Sequence, residues 1–331
     1  MKILFTGMST SHAKENGRQS FFASLRDVYK NIADVETVEP SVHMTKEYLE
    51  SYDAVFVGVI PPTSPSANYL YGAMHLINLM YSSPKLYVVV DNDQLWNYKT
   101  GFSSIARDVS KVFTPFLSRR KEFSQAKNNR AESIQQAAEK MATMQWPKTI
   151  YPALPWESKA NLNDFIGSNR YPVNLDIYLL REPKLPAERY DIWYADQRNP
   201  VWVKKLSKLV GKKIYSVRDG RKEPETLIED RVATGLGIII PPVERGVGTW
   251  WSQRYIQALN SLTPISTEWK ESRAISEYWN LLAVNIEELS EHGRLEVARK
   301  QREAYIAAIP SKDEVLETLT NFITTLNKEI R

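Results

Sequence analysis

The sequence predicts an α/β protein made of two Rossmann-like domains facing each other across a cleft, with a helix at the C-terminal end. Three observations carry this. Short, almost wholly apolar runs such as Asp53–Ile60 (DAVFVGVI) and Leu236–Ile240 read as strands buried on both faces, the signature of a parallel sheet. These runs alternate with helical stretches along the chain. The alternation also starts twice, at Lys2 and again at Tyr190, on either side of a Pro- and polar-rich stretch.

The first half begins with a strand at Lys2–Phe5 that ends in Thr6-Gly7, then a polar loop and a helix from about Gln19 to Lys30. Val35–Val38 is a second strand and Asp53–Ile60 a third, stopped by Pro61-Pro62. An amphipathic helix over Ser66–Tyr81 precedes Pro84, and Leu86–Val90 is a fourth strand running into Asp91-Asn92-Asp93. From Gly101 the chain is helical and more basic, with a long helix over Ala131–Met144. Thr149–Leu154 reads as the last strand of this half, and Glu157–Arg170 as a linker.

The second half opens on a strand at Tyr190–Ala195, followed by the loop Asp196–Pro200 and a helix to about Val210. Lys213–Val217 is the next strand, and Arg218–Lys222 a charged loop. Leu236–Ile240 then feeds a Pro- and Gly-rich loop that includes Gly248, and a helix opens near Thr249 and stops before Thr263-Pro264. Leu281–Asn285 is a short strand, Ile286–Ile309 is largely helical, and Pro310-Ser311 caps a final helix, Lys312–Lys328. The expected division is 1–168, 169–310, and 311–331 for the final helix.

Composition bounds the chemistry. The chain of 331 residues is 43% hydrophobic and 25% charged, ordinary for a globular protein with two cores. With no cysteine, disulfides, thiolate catalysis and zinc–sulfur sites are excluded, and the 4 scattered histidines form no pair at ligand spacing. A net charge of +4 is too mild to imply nucleic acid by itself. No run reaches membrane-spanning length and the N-terminal apolar run is too short for a signal peptide, so a soluble, intracellular monomer is expected. Neither GxxxxGK[ST] nor GxGxxG occurs, which argues against a P-loop kinase and a dinucleotide dehydrogenase.

A buried strand, a glycine-bearing loop and a helix start form a standard phosphate-holding unit. Trp250, Arg254, Gln257 and Ser261 are spaced to share one face of the helix after Leu236–Ile240, with Trp251, Tyr255, Ala258 and Leu262 on its apolar face. Arg254 can then meet a diphosphate and Gln257, one turn on, a sugar hydroxyl, which reads as a nucleotide-sugar site. Arg198, in the loop after Tyr190–Ala195, supplies a second guanidinium; the plain alternative is that both arginines sit in ordinary surface ion pairs. On the other half, Asp91 and Asp93 at a strand end can take the proton of an attacking hydroxyl, or can simply cap a helix or turn. The basic run holding Arg119, Arg120, Lys121, Lys127 and Arg130 is either a phosphate-facing surface or a solvated helix face.

This layout resembles that of the GT-B glycosyltransferases, and specifically the DNA β-glucosyltransferase family of T-even bacteriophages, and the resemblance implies that the final helix packs back on the N-terminal domain. The likeness rests on the start MKILFTGM, the strand and loop at Tyr52–Asn68, the strand ending in Asp91, the Arg198 loop, the helical Arg254-Tyr255-Ile256-Gln257 and the final helix. In that family an aspartate at the equivalent strand end is the general base. Asp91 matches it, with Asp93 standing where the family has an Arg. The family's helical Arg-x-x-Glu grips phosphate and ribose, and here Gln257 stands in the Glu position. Asp196-Gln197 replaces a Gly-Ser turn, so Gln197 joins Arg198, Gly248, Arg254 and Gln257 as a donor-binding candidate.

The resemblance implies transfer of glucose, arabinose or another sugar from a UDP-sugar to 5-hydroxymethylcytosine or 5-hydroxymethyluracil in duplex phage DNA, with inversion. It also implies a flipped-out target base and, for the basic run, contact with DNA phosphates in the cytoplasm of an infected host. Mg2+ is an optional helper that the fold does not require. Two other readings use the same residues: a glycosyltransferase acting on a small molecule or cell-surface polymer, and a non-catalytic two-lobed binding protein.

Overall fold

The computed structural model describes residues 1–7, 21–58, 72, 75–76, 78–80, 87–90, 148–153, 170–183, 185, 188–189, 191–194, 204, 207–208, 213–217, 225–240, 243–245, 248–250, 254–266 and 291–330. The first sheet has six strands in the order β2-β1-β3-β4-β5-β6: β1 (Lys2–Thr6), β2 (Asp34–Thr37), β3 (Ala54–Gly58), β4 (Tyr87–Val90), β5 (Lys148–Pro152) and β6 (Arg170–Val173). All of its pairings are parallel. Successive residues of β1, β3 and β4 point to opposite faces, and both faces are buried, as their apolar composition requires. Ile3, Phe5, Phe56, Val88 and Val90 share one core; Leu4, Val55, Val57, Tyr87 and Val89 share the other with Leu49, Leu76 and Met80.

Helix α1 (Phe21–Tyr29) covers the first face with Phe22, Leu25 and Tyr29, and Phe5 stacks on Phe56 at 4.8 Å between ring centroids. The other face receives α2 (Lys46–Glu50), which starts at Thr45, whose hydroxyl accepts the Tyr48 N–H at 3.1 Å. This short helix had no periodic signal in the sequence.

The first sheet takes one strand more than its sequence suggests. Thr149–Leu154 is not its last strand: Arg170–Val173 lies beyond β5 in parallel register, Ile150 opposite Tyr171. β6 is only four residues long and contains Pro172, so it carries no strand signal of its own, and the expected linker at Glu157–Arg170 overlaps it at Arg170 alone. A proline without an N–H is tolerated there because β6 is the edge strand. A boundary after residue 168 therefore precedes a strand that pairs within the first sheet.

The second sheet has four strands in the order β12-β9-β7-β8, all parallel: β7 (Asp191–Tyr194), β8 (Ile214–Ser216), β9 (Gly235–Ile239) and β12 (Ile265–Ser266). Helix α3 (Asp176–Leu179) lies between the two sheets in sequence, and α4 (Glu225–Ala233) leads into β9. Residues 225–233 were missed as a helix because their apolar positions mark no clear face.

The Pro- and Gly-rich loop after β9 contains an antiparallel hairpin, β10 (Val243–Arg245) and β11 (Gly248–Trp250). Helix α5 spans Arg254–Asn260. Trp250 is a strand residue opposite Val243 and does not share a helix face with Arg254. The helix expected to open near Thr249 therefore lies beyond Trp250, because a three-residue strand does not show as a period; Trp251 is outside the described residues.

Helices α6 (Glu291–Ala308) and α7 (Lys312–Ile330) complete the chain. Ser311 and Glu314 form a capping box at the start of α7: the Ser311 N–H donates to Glu314 Oε2 at 2.7 Å and the Glu314 N–H to Ser311 Oγ at 3.3 Å. Val315, Leu319, Phe322, Ile323 and Leu326 of α7 enter the core of the first sheet, with Tyr171 edge-on to Phe322 at 4.5 Å. The closing helix does return to the N-terminal sheet.

A half-buried polar link joins the two halves. Asn174, just after β6, donates from Nδ2 to Asp176 Oδ2 at 3.2 Å, and the Tyr305 hydroxyl of α6 donates to the same oxygen at 2.5 Å. Burial raises the pKa of Asp176, more than these two donors lower it. A raised folded-state pKa means stability is fully present below the ordinary carboxylate range and falls as pH rises through the folded value. We therefore predict that Asp176→Asn is more stable than the parent at pH 7 and that the gap closes as pH falls toward 4. Urea unfolding at both values measures it; a pH-independent gap would contradict the assignment.

Candidate functional site

In a parallel α/β sheet the ligand crevice lies outside the carboxyl ends of the strands, where the strand order reverses. Both sheets have one such point. In the first, β2 and β3 lie on opposite sides of β1; in the second, β8 and β9 lie on opposite sides of β7.

At the first switch point, β1 ends in Thr6 and Gly7. Gly7 has φ of 92°, and a Cβ on it would stand 2.5 Å from the Gly58 carbonyl oxygen at the end of β3. Only glycine combines that backbone angle with so close an approach. The sequence places Thr6-Gly7 at the end of the first strand, but the contact with Gly58 that makes glycine necessary shows only in the folded sheet. Gly7→Ala is expected to destabilise the protein by about 3 kcal/mol or more, from backbone strain plus the clash, measured as the shift of the urea midpoint.

β4, two strands from β1, ends at Val90 level with Gly58 of β3. Asp91 and Asp93 follow it in sequence but lie outside the described residues, as do Gln197 and Arg198 after β7 and the basic group Arg119, Arg120, Lys121, Lys127 and Arg130. The helix expected at 131–144 and the strand at 281–285 lie outside them too.

The second switch point carries the two donor-side connections. The segment with Arg198 leaves β7, and the hairpin leading to Arg254 leaves β9, its immediate neighbour. Gly248 starts β11 and pairs with Arg245 in that hairpin. Arg254, the first residue of α5, is 5% exposed, and its Nη1 donates to Gln257 Oε1 at 2.6 Å. The predicted phosphate and sugar groups are thus bonded to each other one turn apart, which preorganises the guanidinium.

The helix beneath them is held from its far end. Leu262 takes φ of 50°, a left-handed C-terminal turn closed by the Thr263 N–H donating to Ala258 O at 2.9 Å. Arg189 donates to the Ser261 and Leu262 carbonyls, each at 2.6 Å, and Arg302 of α6 to Leu259 O at 3.0 Å. Tyr255, Ala258 and Leu259 bury the apolar face against β9 and α6, so the predicted two-faced helix forms over fewer residues than expected. Seven residues make only a short dipole, so the charge at this site comes from Arg254 rather than from the helix end. Among the described residues, no group of three or more His, Asp or Glu is placed to hold a metal ion, and no helix is long and apolar enough to cross a membrane.

No family model matches this chain, and no curated protein matches it by sequence. Solved structures do. T4 phage BGT in complex with UDP and Mn2+ superposes with a TM-score of 0.55 at 13% identity, over 98% of this chain and 99% of that one. A T4 phage β-glucosyltransferase structure on substrate binding gives 0.54 at 10% identity over the same shares. A third, the DNA-modifying enzyme β-glucosyltransferase with and without uridine diphosphoglucose, gives 0.52 at 11% identity, again over 98% and 99%. The chain has the GT-B fold. The likeness spans both sheets, so the two switch points described above belong to one GT-B arrangement.

Proposed function

We propose that this GT-B protein transfers a sugar from a UDP-sugar to the hydroxymethyl group of a 5-hydroxymethylpyrimidine in duplex DNA. The observation that supports this most is the end-to-end likeness to a DNA-modifying β-glucosyltransferase, combined with a buried arginine on the connection leaving the switch-point strand β9. In this reading Arg198 and Arg254 hold the diphosphate, Gln257 meets a ribose hydroxyl, and Gln197 and Gly248 line the same pocket. Asp91 takes the proton of the acceptor hydroxyl as its oxygen attacks the anomeric carbon, with Asp93 as the alternative base. The glycosidic bond forms, the bond to UDP breaks, and the leaving diphosphate's charge falls on the two guanidiniums. Attack from the face opposite UDP inverts the anomeric centre.

The target base is stacked inside the duplex, so the reading requires it to be flipped out, at a cost of about a few kcal/mol. Arg119, Arg120, Lys121, Lys127 and Arg130 are proposed to grip the DNA phosphates, with duplex affinity falling steeply with salt. Incubating the protein with hydroxymethylated duplex DNA and a panel of UDP-sugars, followed by nucleoside mass spectrometry, tests the activity directly. A glycosylated nucleoside with at least one donor is expected. UDP release with a small-molecule acceptor and none with DNA would move the acceptor out of nucleic acid.

A further inference from the structure

Helix α6 buries one stripe of side chains: Arg294, Ala298, Gln301 and Tyr305. Three of them are accounted for. Ala298 packs closely, the Tyr305 hydroxyl meets Asp176, and Gln301 grips the β12 backbone, accepting the Ile265 N–H at 2.9 Å and donating to the Ile265 carbonyl at 2.8 Å. Arg294 is the exception. It is 7% exposed, and its Nε, shut off from solvent, meets no hydrogen-bond acceptor among the described residues. A buried donor left without an acceptor costs stability unless an acceptor arrives, and on a cation the strongest acceptor is an anion.

The position of Arg294 says which anion. Gln301 holds α6 level with Ile265, which pairs with Ile238, one residue before the end of β9. Going forward, Arg302 reaches the last turn of α5 and Tyr305 reaches the segment between the sheets, so α6 runs away from the strands' carboxyl ends. Going back from Gln301 to Arg294 moves seven residues, about 10 Å, the other way. That carries Arg294 past the carboxyl edge of the sheet, on the side where β9 leads out toward Arg254. Helical side chains lean toward the N-terminus, which carries the guanidinium further in that direction.

We propose that Arg294 is a further anchor for the diphosphate of the donor, acting with Arg198 and Arg254. This inference rests on the donor-site reading above. A DNA backbone is a poorer match, because duplex phosphates stay at the surface while the Nε of Arg294 is enclosed, and because the proposed DNA-gripping residues belong to the first half. A diphosphate drawn into the crevice brings its charge to the guanidinium, where charge-assisted, two-pronged bonds are available. The donor, in turn, supplies the acceptor that Arg294 Nε lacks among the described residues.

The test uses the full chain with Arg294→Met, which keeps most of the apolar stem, and Arg294→Lys. Calorimetric titrations with UDP, inorganic pyrophosphate and uridine are paired with thermal unfolding of the unliganded proteins. Arg294→Met is expected to weaken UDP and pyrophosphate roughly 10- to 100-fold, to leave uridine unchanged, and to melt no lower than the parent; Arg294→Lys recovers part of the UDP affinity. Parental UDP affinity in Arg294→Met overturns the inference, and so does a lower melting temperature, which would mark a structural residue. Loss of duplex affinity at unchanged UDP affinity also overturns it, by assigning the cation to DNA. A parent protein that binds neither UDP nor any UDP-sugar sinks the donor-site reading itself.

Discussion

Asp91→Ala is expected to lower sugar transfer by about 10²- to 10⁴-fold, the usual contribution of a positioned base, while leaving UDP affinity within experimental error. The two effects separate because the candidate groups lie on different sheets. Asp91 directly follows Val90 of β4, on the sheet whose crevice is narrowed by Gly7 and Gly58, whereas the donor-side residues follow β7 and β9. On the proposed reading, removing the carboxylate takes away the acceptor for the hydroxyl proton and leaves the proposed diphosphate-binding arginines untouched. Rates with hydroxymethylated DNA, measured beside UDP titrations, give both quantities. An Asp91→Ala protein that turns over like the parent would move the base to Asp93 or to another group, and the same pair of measurements on Asp93→Ala would then identify it.

Arg254→Met is the second large effect. Methionine keeps a flexible apolar stem in a site that is 5% exposed and removes the charged head. UDP affinity should fall roughly 10- to 100-fold, the range for a charge-assisted bond to phosphate. Transfer should fall further still, because the leaving group carries more charge in the transition state than in the bound donor. Gln257 loses a partner 2.6 Å away in the same variant, so Gln257→Ala serves as the control. A much smaller loss there would place the energy in the phosphate contact and not in the side-chain pair. Unchanged UDP affinity in Arg254→Met would take Arg254 out of the site.

Sequence patterns read the architecture well wherever burial was complete. β1, β3, β4 and β9 are apolar on both faces, and each was expected within two residues of where it lies, apart from the stretch at 59–60 outside the described residues. The elements that escaped have physical reasons for doing so. β6 is a four-residue edge strand containing a proline; β10 and β11 are three residues each; α4 has no clear apolar face; and α2 is a single capped turn. β6 is fixed by pairing with β5, the hairpin by its own short-range pairing and α2 by its cap, none of which shows as a hydrophobic period.

The same contrast holds for the candidate site. Arg254 and Gln257 were visible as an i, i+3 pair, but their bond to each other depends on where α5 begins, and that depends on the hairpin before it. Gly7 needed the neighbouring strand to show its purpose, because the constraint is the Gly58 backbone, which is 51 residues away along the chain. Arg294 was not singled out at all. Its signal is the absence of a partner, which a sequence does not display.

The return of α7 to the first sheet has a consequence for biosynthesis. Ile3 and Phe5 share a hydrophobic cluster with Leu319, Phe322 and Leu326, so residues from both extremes of the chain meet in it. A nascent chain emerging from the ribosome can pair β1 to β6 early, yet the face that α1 covers in part lacks the rest of its cover until residues 315–326 have been made. That sheet is therefore completed late, and the part of its apolar face left open is exposed to chaperones, or to aggregation, while the second half is being translated.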